Sequence, residues 1–347
     1  MKFDRNIVKS FFEMIVRENI HRILMAIFLV MLFGSLALHH FEQELALKDA
    51  MWWSIVTMST VGYGDISPST FGGRAIAIVV MLMGIGLLGI LTASIASIFV
   101  EKKLLENKGM KPVSVKGHFI ICGWNFRGEE IIAELRADAK SRNAPVVVLA
   151  DIPEKPVDNP SVHFLRGEVS ATLLSRANLE NAHGVIVLSD DRLDAYSRDA
   201  KTILSVMTLK NLAPHVYTSV ELMDPRNLDH CRLARADEVV VVGELSTNML
   251  VQATLDHGIT RIITELVSNR FGNELFKIEI PPKYAGKTFF ETFCALKKAH
   301  NIICLGVEDR SGGNLVANPN ADYRFGANDR LVVIAENRPD FTTEKRG

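Results

Sequence analysis

An α-helical membrane domain fused to a doubly wound α/β domain is the fold class this sequence predicts, and three observations predict it. Nearly all the long apolar runs fall before residue 101. Between the two longest lies a shorter apolar stretch that ends in the hexapeptide Thr60-Val61-Gly62-Tyr63-Gly64-Asp65. From residue 117 onward, short β-rich runs alternate with helical patterns, as in a parallel sheet with crossover helices.

Composition sets the bounds. The 347 residues suffice for two or three domains. With 39 basic and 40 acidic residues the net charge is −1, and no long basic run supports nucleic-acid binding. Cys122, Cys231, Cys294 and Cys304 are scattered, without a C-x-x-C pair. That fits a reducing compartment and argues against a disulfide framework or a zinc site. The first 22 residues are charged and lack a small-residue cleavage site, so no cleavable signal peptide is expected.

The first uncharged apolar run covers residues 23–38, and it reaches span length with Ile20, His21, His39 and His40 in the interfaces. The second covers residues 75–100, ample for the about 20 residues that a bilayer core requires. Lys2, Arg5, Lys9, Arg17 and Arg22 precede the first span, and Lys102, Lys103, Lys108 and Lys111 follow the second. The stretch between them holds only Lys48 and Arg74. Both termini are therefore expected in the cytoplasm, with the chain multi-pass in the cell inner membrane and in contact with its lipid bilayer.

The segment 45–59 is too short to cross. A re-entrant helix is expected there, buried in protein or lining a water-filled cavity. It runs straight into the hexapeptide, which resembles the T-V-G-Y-G carbonyl filter of potassium channels. The resemblance implies that the backbone carbonyls of Thr60, Val61, Gly62 and Tyr63 replace the water shell of a K+ ion, with the Thr60 hydroxyl adding an innermost set of oxygens. Carbonyls aimed at one axis need unusual backbone angles, which suits Gly62 and Gly64. One chain supplies one strand of such a cage, so a homotetramer is expected. Trp52 and Trp53 are expected to pack around the filter as a cuff and to hydrogen-bond Tyr63. In the second span, Gly84, Gly86 and Gly89 cost about 1 kcal/mol each relative to alanine. They either permit close helix packing or provide a bend, and Gly84 is the candidate gating hinge.

Residues 101–116 read as a polar linker with Gly109 and Pro112. Strand-like runs follow at 118–122, 145–150, 162–165, 185–189, 216–220 and 238–242, with helical patterns at 129–140, 192–210 and 225–235. The first strand-to-helix turn is Cys122-Gly123-Trp124-Asn125-Phe126-Arg127-Gly128. A dinucleotide fingerprint would read G-x-G-x-x-G, and here Asn125 replaces the middle glycine. Gly123 can make the tight turn, Gly128 can allow helix–strand packing, and Asp151 stands where a ribose-binding acid would. The turn either binds a nucleotide or only builds the fold.

Filter, spans, linker and the C-G-W-N-x-x-G turn together resemble prokaryotic two-span potassium channels with a cytoplasmic RCK (regulator of K+ conductance) domain, over essentially the whole chain. The C-terminal part fits as well, through Tyr284-Ala285-Gly286-Lys287 and Tyr323-Arg324-Phe325-Gly326-Ala327-Asn328-Asp329 before a last strand at 330–334. The resemblance implies a pore domain over 1–100, the linker over 101–116 and a Rossmann-like RCK lobe over 117–243. Crossover helices that pair neighbouring RCK domains would take 244–275, and a small α+β subdomain 276–340. It further implies an octameric gating ring that a ligand expands. One RCK domain per chain supplies four of the eight, and soluble copies started internally at Met110 would supply the rest. For a Ca2+ ligand, Glu221 matches one acid of the calcium-gated members, but the partner positions fall on Met223 and near Ser197. Asp190, Asp191, Asp194 and Asp224 offer a different oxygen set. NAD or an adenine nucleotide at the glycine turn is the favoured ligand. The chain is not expected to be an enzyme: a membrane-anchored oxidoreductase leaves the hexapeptide unexplained. A regulatory subunit of a K+ transporter would not carry its own pore.

Overall fold

A computed structural model of the chain describes residues 20–309, 314–326 and 329–341. Lys2, Arg5, Lys9 and Arg17, and Ala327 and Asn328 of the C-terminal stretch, lie outside the described residues. The chain divides between Leu105 and Glu106 into two compact units.

The first unit is helical: α1 spans Ile20–Phe41, α2 Leu47–Met58 and α3 Phe71–Asn107. Both α1 and α3 are long and apolar enough to cross a membrane. Only 17% of the most apolar stretch of each is buried within the chain. Phe28, Phe33, Leu82 and Phe99 stay exposed, an apolar surface that lipid or further protein must cover. Leu38, Ala50, Trp53, Met58, Ala77 and Val80 form the small core where the three helices meet. Just after α1, Glu42 accepts hydrogen bonds from the Ser69 and Thr70 N–H groups and both hydroxyls, at 2.8–2.9 Å. The Thr70 backbone N–H and the Ser69 hydroxyl chiefly hold the Glu42 carboxyl down, at about 2.

Helix α3 does not stop where the apolar run does. It continues through Glu101–Asn107 because Glu, Lys and Leu are strong helix formers. The edge of the apolar run therefore marks the edge of a membrane span and not the end of the helix, and the first half of the expected linker is helical. The chain then turns at Gly109, whose N–H reaches the Glu106 carbonyl. The following residues are fastened along the second unit. Lys155 N–H donates to the Asn107 carbonyl (2.8 Å), Arg166 N–H to that of Gly109 (3.2 Å), and the Arg176 guanidinium to that of Met110 (2.7 Å).

The second unit opens with β1 (His118–Cys122), α4 (Gly128–Ala137), β2 (Val146–Ala150), β3 (Val162–Arg166) and α5 (Ala171–Arg176). It continues with β4 (Ala182–Val187), α6 (Ala195–Leu212), β5 (Tyr217–Leu222), α7 (Leu228–Leu233) and β6 (Glu238–Val241). The six strands form one parallel sheet in the order β3-β2-β1-β4-β5-β6. Helices cover both faces, so the central strands such as β1 and β2 are buried on both sides, as continuous Val/Ile/Leu runs require. Along β2, Val147 and Leu149 face a core shared with α5, α6 and α7, while Val146, Val148 and Ala150 face one shared with Ile132 of α4. The order reverses between β1 and β4, and such a switch point leaves a crevice above the strand ends.

From β6 the chain passes directly into α8 (Val242–Leu255) and α9 (Ile259–Val267), neither of which buries a residue within the chain. Leu245, Leu250, Leu255, Ile262 and Val267 are exposed on them. An antiparallel sheet β7-β10-β8-β9 follows, built from β7 (Glu274–Glu279), β8 (Ile303–Asp309), β9 (Asn314–Ala317) and β10 (Arg330–Ala335). Helix α10 (Phe289–His300) packs on it and starts with a Thr288/Glu291 capping box. Strand β7 ends just before Pro281 and Pro282, which lack the N–H a ladder needs. In the Tyr323–Asp329 stretch, Asp329 accepts from the Tyr323 hydroxyl (2.9 Å) and the Gly326 N–H (2.8 Å).

Candidate functional site

The first site begins at the end of α2. The Thr60 N–H bonds the Thr57 carbonyl, and the Val61 and Gly62 N–H groups share that of Val56 at 3.1 and 3.3 Å. The strand that follows alternates in hand. Thr60, Gly62 and Gly64 have positive φ, at 62°, 54° and 75°, and alternate with Val61 and Tyr63. Successive residues of opposite hand turn successive carbonyls to the same side, which an ordinary strand cannot do. A non-glycine residue at positive φ is uncommon, so Thr60 holds the costly angle in this row. Within one chain Val61 and Tyr63 are exposed.

Trp52 is the tryptophan that braces this strand. Its ring stacks on Tyr63 with centroids 6.0 Å apart and planes 8° from parallel, and its Nε1–H donates to Asp65 at 3.0 Å. Trp53 is instead buried in the three-helix core. Within one chain Trp52 alone of the two reaches the strand, and its hydrogen bond goes to Asp65 and not to Tyr63. Side chains on successive helical residues point about 100° apart, which turns Trp53 toward the core. Gly84, the candidate hinge, lies where α3 crosses the end of α2. A Cβ there would stand 2.9 Å from the Met58 Cα, whereas one at Gly86 or Gly89 would meet nothing.

The second site is the crevice over the ends of β1, β2, β3 and β4. It is lined by Gly123, Trp124, Asp151, Ile152, Glu168, Asp190, Arg192 and Lys201, among others. Gly123 has φ +89°, and a Cβ there would lie 2.8 Å from the Leu188 carbonyl oxygen, so β1 and β4 approach through glycine alone. Gly128 leaves room for the Trp124 ring, 2.7 Å from where its Cβ would be. Asn125 does not face the crevice. It is buried, its amide donates to the Ser189 carbonyl (3.0 Å) and Glu221 (3.2 Å), and its oxygen accepts the Arg127 N–H. Asp151 is half exposed at the crevice edge, 3.6 Å from Arg166.

The acids considered for a divalent ion are not gathered into one cage. Among the described residues no group of three or more His, Cys, Asp or Glu is placed to hold a metal. Glu221 is 6% exposed and pairs with Arg127 at 2.6 Å. Asp190 receives Arg192 through two nitrogens and Lys201 at 2.9 Å, and the Arg192 bonds foremost hold its carboxyl well below the usual range. Asp224 is paired with Arg226, Asp191 with Arg127 and Arg198, and Asp194 caps α6. Arg127, Arg192 and Lys201 escaped the sequence reading. Their only signal there is cationic residues beside a glycine turn and after a strand end.

A half-length helix running into a same-sided carbonyl row, between two span-length helices, defines the pore segment of a potassium channel. Comparison with known proteins agrees. Residues 25–101 match the ion-channel family, 114–220 the calcium-activated potassium channel slowpoke-like RCK domain, and 243–346 the Castor and Pollux part of a voltage-gated ion channel. The calcium-gated potassium channel TvoK of Thermoplasma volcanium is 30% identical over 353 residues, covering 99% of both chains. Potassium channel protein 1 of Methanocaldococcus jannaschii is 25% identical and covers 82% of this chain and 87% of its own. The human SLO3 gating ring shares the fold at TM-score 0.51 and 18% identity, over 63% of this chain and 44% of its own. The chain belongs to the two-span potassium channels that carry an RCK domain.

Proposed function

We propose that four copies of this chain surround one K+ pore in the cell inner membrane, with both termini in the cytoplasm, and that a nucleotide or NAD bound by the RCK domain sets its opening. The observation that carries this reading is the alternating-hand strand from Thr60 to Gly64, exposed in a single chain. Such a row supplies one side of an ion cage, and K+ needs oxygens on every side. The domain limits follow the reading: pore 1–100, connection 101–116, RCK lobe 117–243, pairing helices 244–275 and C-terminal subdomain 276–340. The exposed leucines and isoleucines of α8 and α9 support pairing of RCK domains there. An octameric ring completed by soluble copies begun at Met110 fits the one-domain count, although such copies would lack Asn107 and Gly109, whose carbonyls bond Lys155 and Arg166. Gly84 serves as hinge or packing point of α3. No step of bond making is assigned to the chain, which acts as a pore and not as an enzyme.

The nucleotide would sit in the crevice, with Gly123 and Gly128 shaping the turn, Asp151 toward its ribose, and Arg192 and Lys201 near its phosphates. Calcium is the second ligand considered, since the Thermoplasma relative is named as calcium-gated. For that, Glu221, Asp190 or Asp224 would each have to leave a cationic partner. Purified chain reconstituted in liposomes with K+ and Na+ gradients tests the reading. We expect K+-selective, Ba2+-blocked flux that changes when ADP or NAD is added and stays the same with Ca2+. Folded tetramers without such flux would refute the pore, and flux that responds to Ca2+ alone would refute the ligand.

A further inference from the structure

A Rossmann-like sheet of order 3-2-1-4-5-6 has two mononucleotide-binding halves, and a dinucleotide lies across the switch point between them. In this chain the two halves differ. Over β1, β2 and β3 the crevice is open, from Gly123 to Asp151 and Glu168. Over β4 and β5 the corresponding space is bridged by the β1–α4 turn itself. The Asn125 amide reaches the Ser189 carbonyl and Glu221, and the Arg127 guanidinium reaches Glu221 at 2.6 Å and Asp191 at 3.4 Å. The Ser189 N–H closes the knot on the second Glu221 oxygen at 2.9 Å.

We propose that the crevice takes a single phosphate-bearing mononucleotide and excludes a dinucleotide, because Asn125 and Arg127 close the half where the second nucleotide would lie. This rests on the nucleotide reading above and narrows it. Admitting a second nucleotide means withdrawing Asn125 and Arg127 and leaving the buried Glu221 carboxylate without its cation, a costly state for a desolvated charge. A mononucleotide needs no such change. The open half already offers Asp151 to a ribose. Arg192 and Lys201 stand on the Asp190 carboxylate at its edge, cations beside which a phosphate can rest without breaking that pair.

The test is isothermal titration of the full-length channel in nanodiscs with ADP and with NAD, for wild type, Asn125→Gly and the double variant R127Q/E221Q. Asn125→Gly removes the bridging amide and restores the G-x-G-x-x-G spacing. The double variant removes the charge pair together, so that no lone buried charge remains. We expect wild type to bind ADP tighter than NAD by about tenfold or more, the equivalent of one broken buried contact, and each variant to bring the ratio toward unity. NAD binding as tight as ADP in wild type would overturn the proposal and leave the nucleotide reading standing. A preference for ADP that both variants keep would also overturn it, since the bridge would then not be the barrier. Binding of neither ligand would remove the nucleotide reading itself.

Discussion

Substituting alanine at Gly84 separates two roles for the glycines of α3. The added Cβ would lie 2.9 Å from the Met58 Cα and 3.2 Å from its Cβ and Cγ. Carbon contacts are comfortable at about 3.5–4.0 Å, so the end of α2 must retreat by roughly 0.6–1 Å. A backbone atom cannot rotate away as a side chain can. Overpacking of this kind costs about 1–3 kcal/mol, against which alanine returns up to about 1 kcal/mol of helix propensity. With that return in full, the net loss is up to about 2 kcal/mol per chain. Met58 lies two residues before Thr60, so the strain arrives at the filter strand. Thermal dissociation of the detergent-solubilised tetramer and K+ flux in liposomes, with and without ADP, read it out. We expect Gly84→Ala to lower both at every ligand concentration. Gly86→Ala and Gly89→Ala, which meet nothing within the chain, carry no such clash inside it, so a loss of tetramer stability in either would report a contact with a neighbouring chain. A Gly84→Ala tetramer that melts with wild type and differs only in its response to ligand would refute packing and make Gly84 a hinge.

Three further outcomes are expected. Trp52→Phe keeps a ring against Tyr63 but loses the bond to Asp65, worth about 1 kcal/mol; reversal potentials should show K+ over Na+ selectivity reduced up to about fivefold, and unchanged selectivity would clear Asp65 of a bracing role. Glu42 has a carboxyl held at about 2 against an ordinary 4.5, so its clamp is fully present above the ordinary value and is lost as pH falls from there through about 2. Tetramer melting should therefore decline below about pH 4.5 in wild type, whereas Glu42→Gln should melt lower at neutral pH and lack that acid limb. Asp199, fully buried, accepts from the Met223 and Asp224 N–H groups and the Asn227 amide at 2.9–3.0 Å; Asp199→Ala strands three donors and should destabilise the α/β unit by about 3–5 kcal/mol, followed in denaturant through Trp124 fluorescence.

The parts of the chain that were legible in the sequence are those fixed by short-range pattern. Strands β1, β2 and β3 begin or end within a residue or so of the β-branched runs, because glycine, proline and charge bound those runs closely. Strand β4 starts earlier than its apolar run, at Ala182, which pairs with His118, and its first two residues are not themselves buried, so apolar character is not demanded of them. The filter was readable because its angles require glycine at fixed positions. What escaped was partnership across distance. Glu42 looks like a solvated acid until Ser69 and Thr70 are brought beside it, and Asn125 looks like a damaged fingerprint until Ser189 and Glu221 arrive. Lys210, nearly fully buried and paired with Asp237, reads as an ordinary surface lysine on a helix. A helix carrying polar residues beyond the bilayer edge gives no local cue of where it stops, and so α3 outran its expected end.

The filter strand has one more consequence. Apart from the Thr60 hydroxyl, the groups this row turns to one side are main-chain oxygens, and every residue type carries the same one. No point mutation can exchange those carbonyls for a different donor, so beyond Thr60 natural variation has no direct access to them. It can only alter the frame: the ring behind Tyr63, the anchor at Asp65, the bulk under Met58. Apart from the threonine, differences in ion preference among relatives of this chain must then be written in the frame, and a comparison restricted to the signature hexapeptide would miss the parts of it, such as Trp52 and Met58, that lie outside.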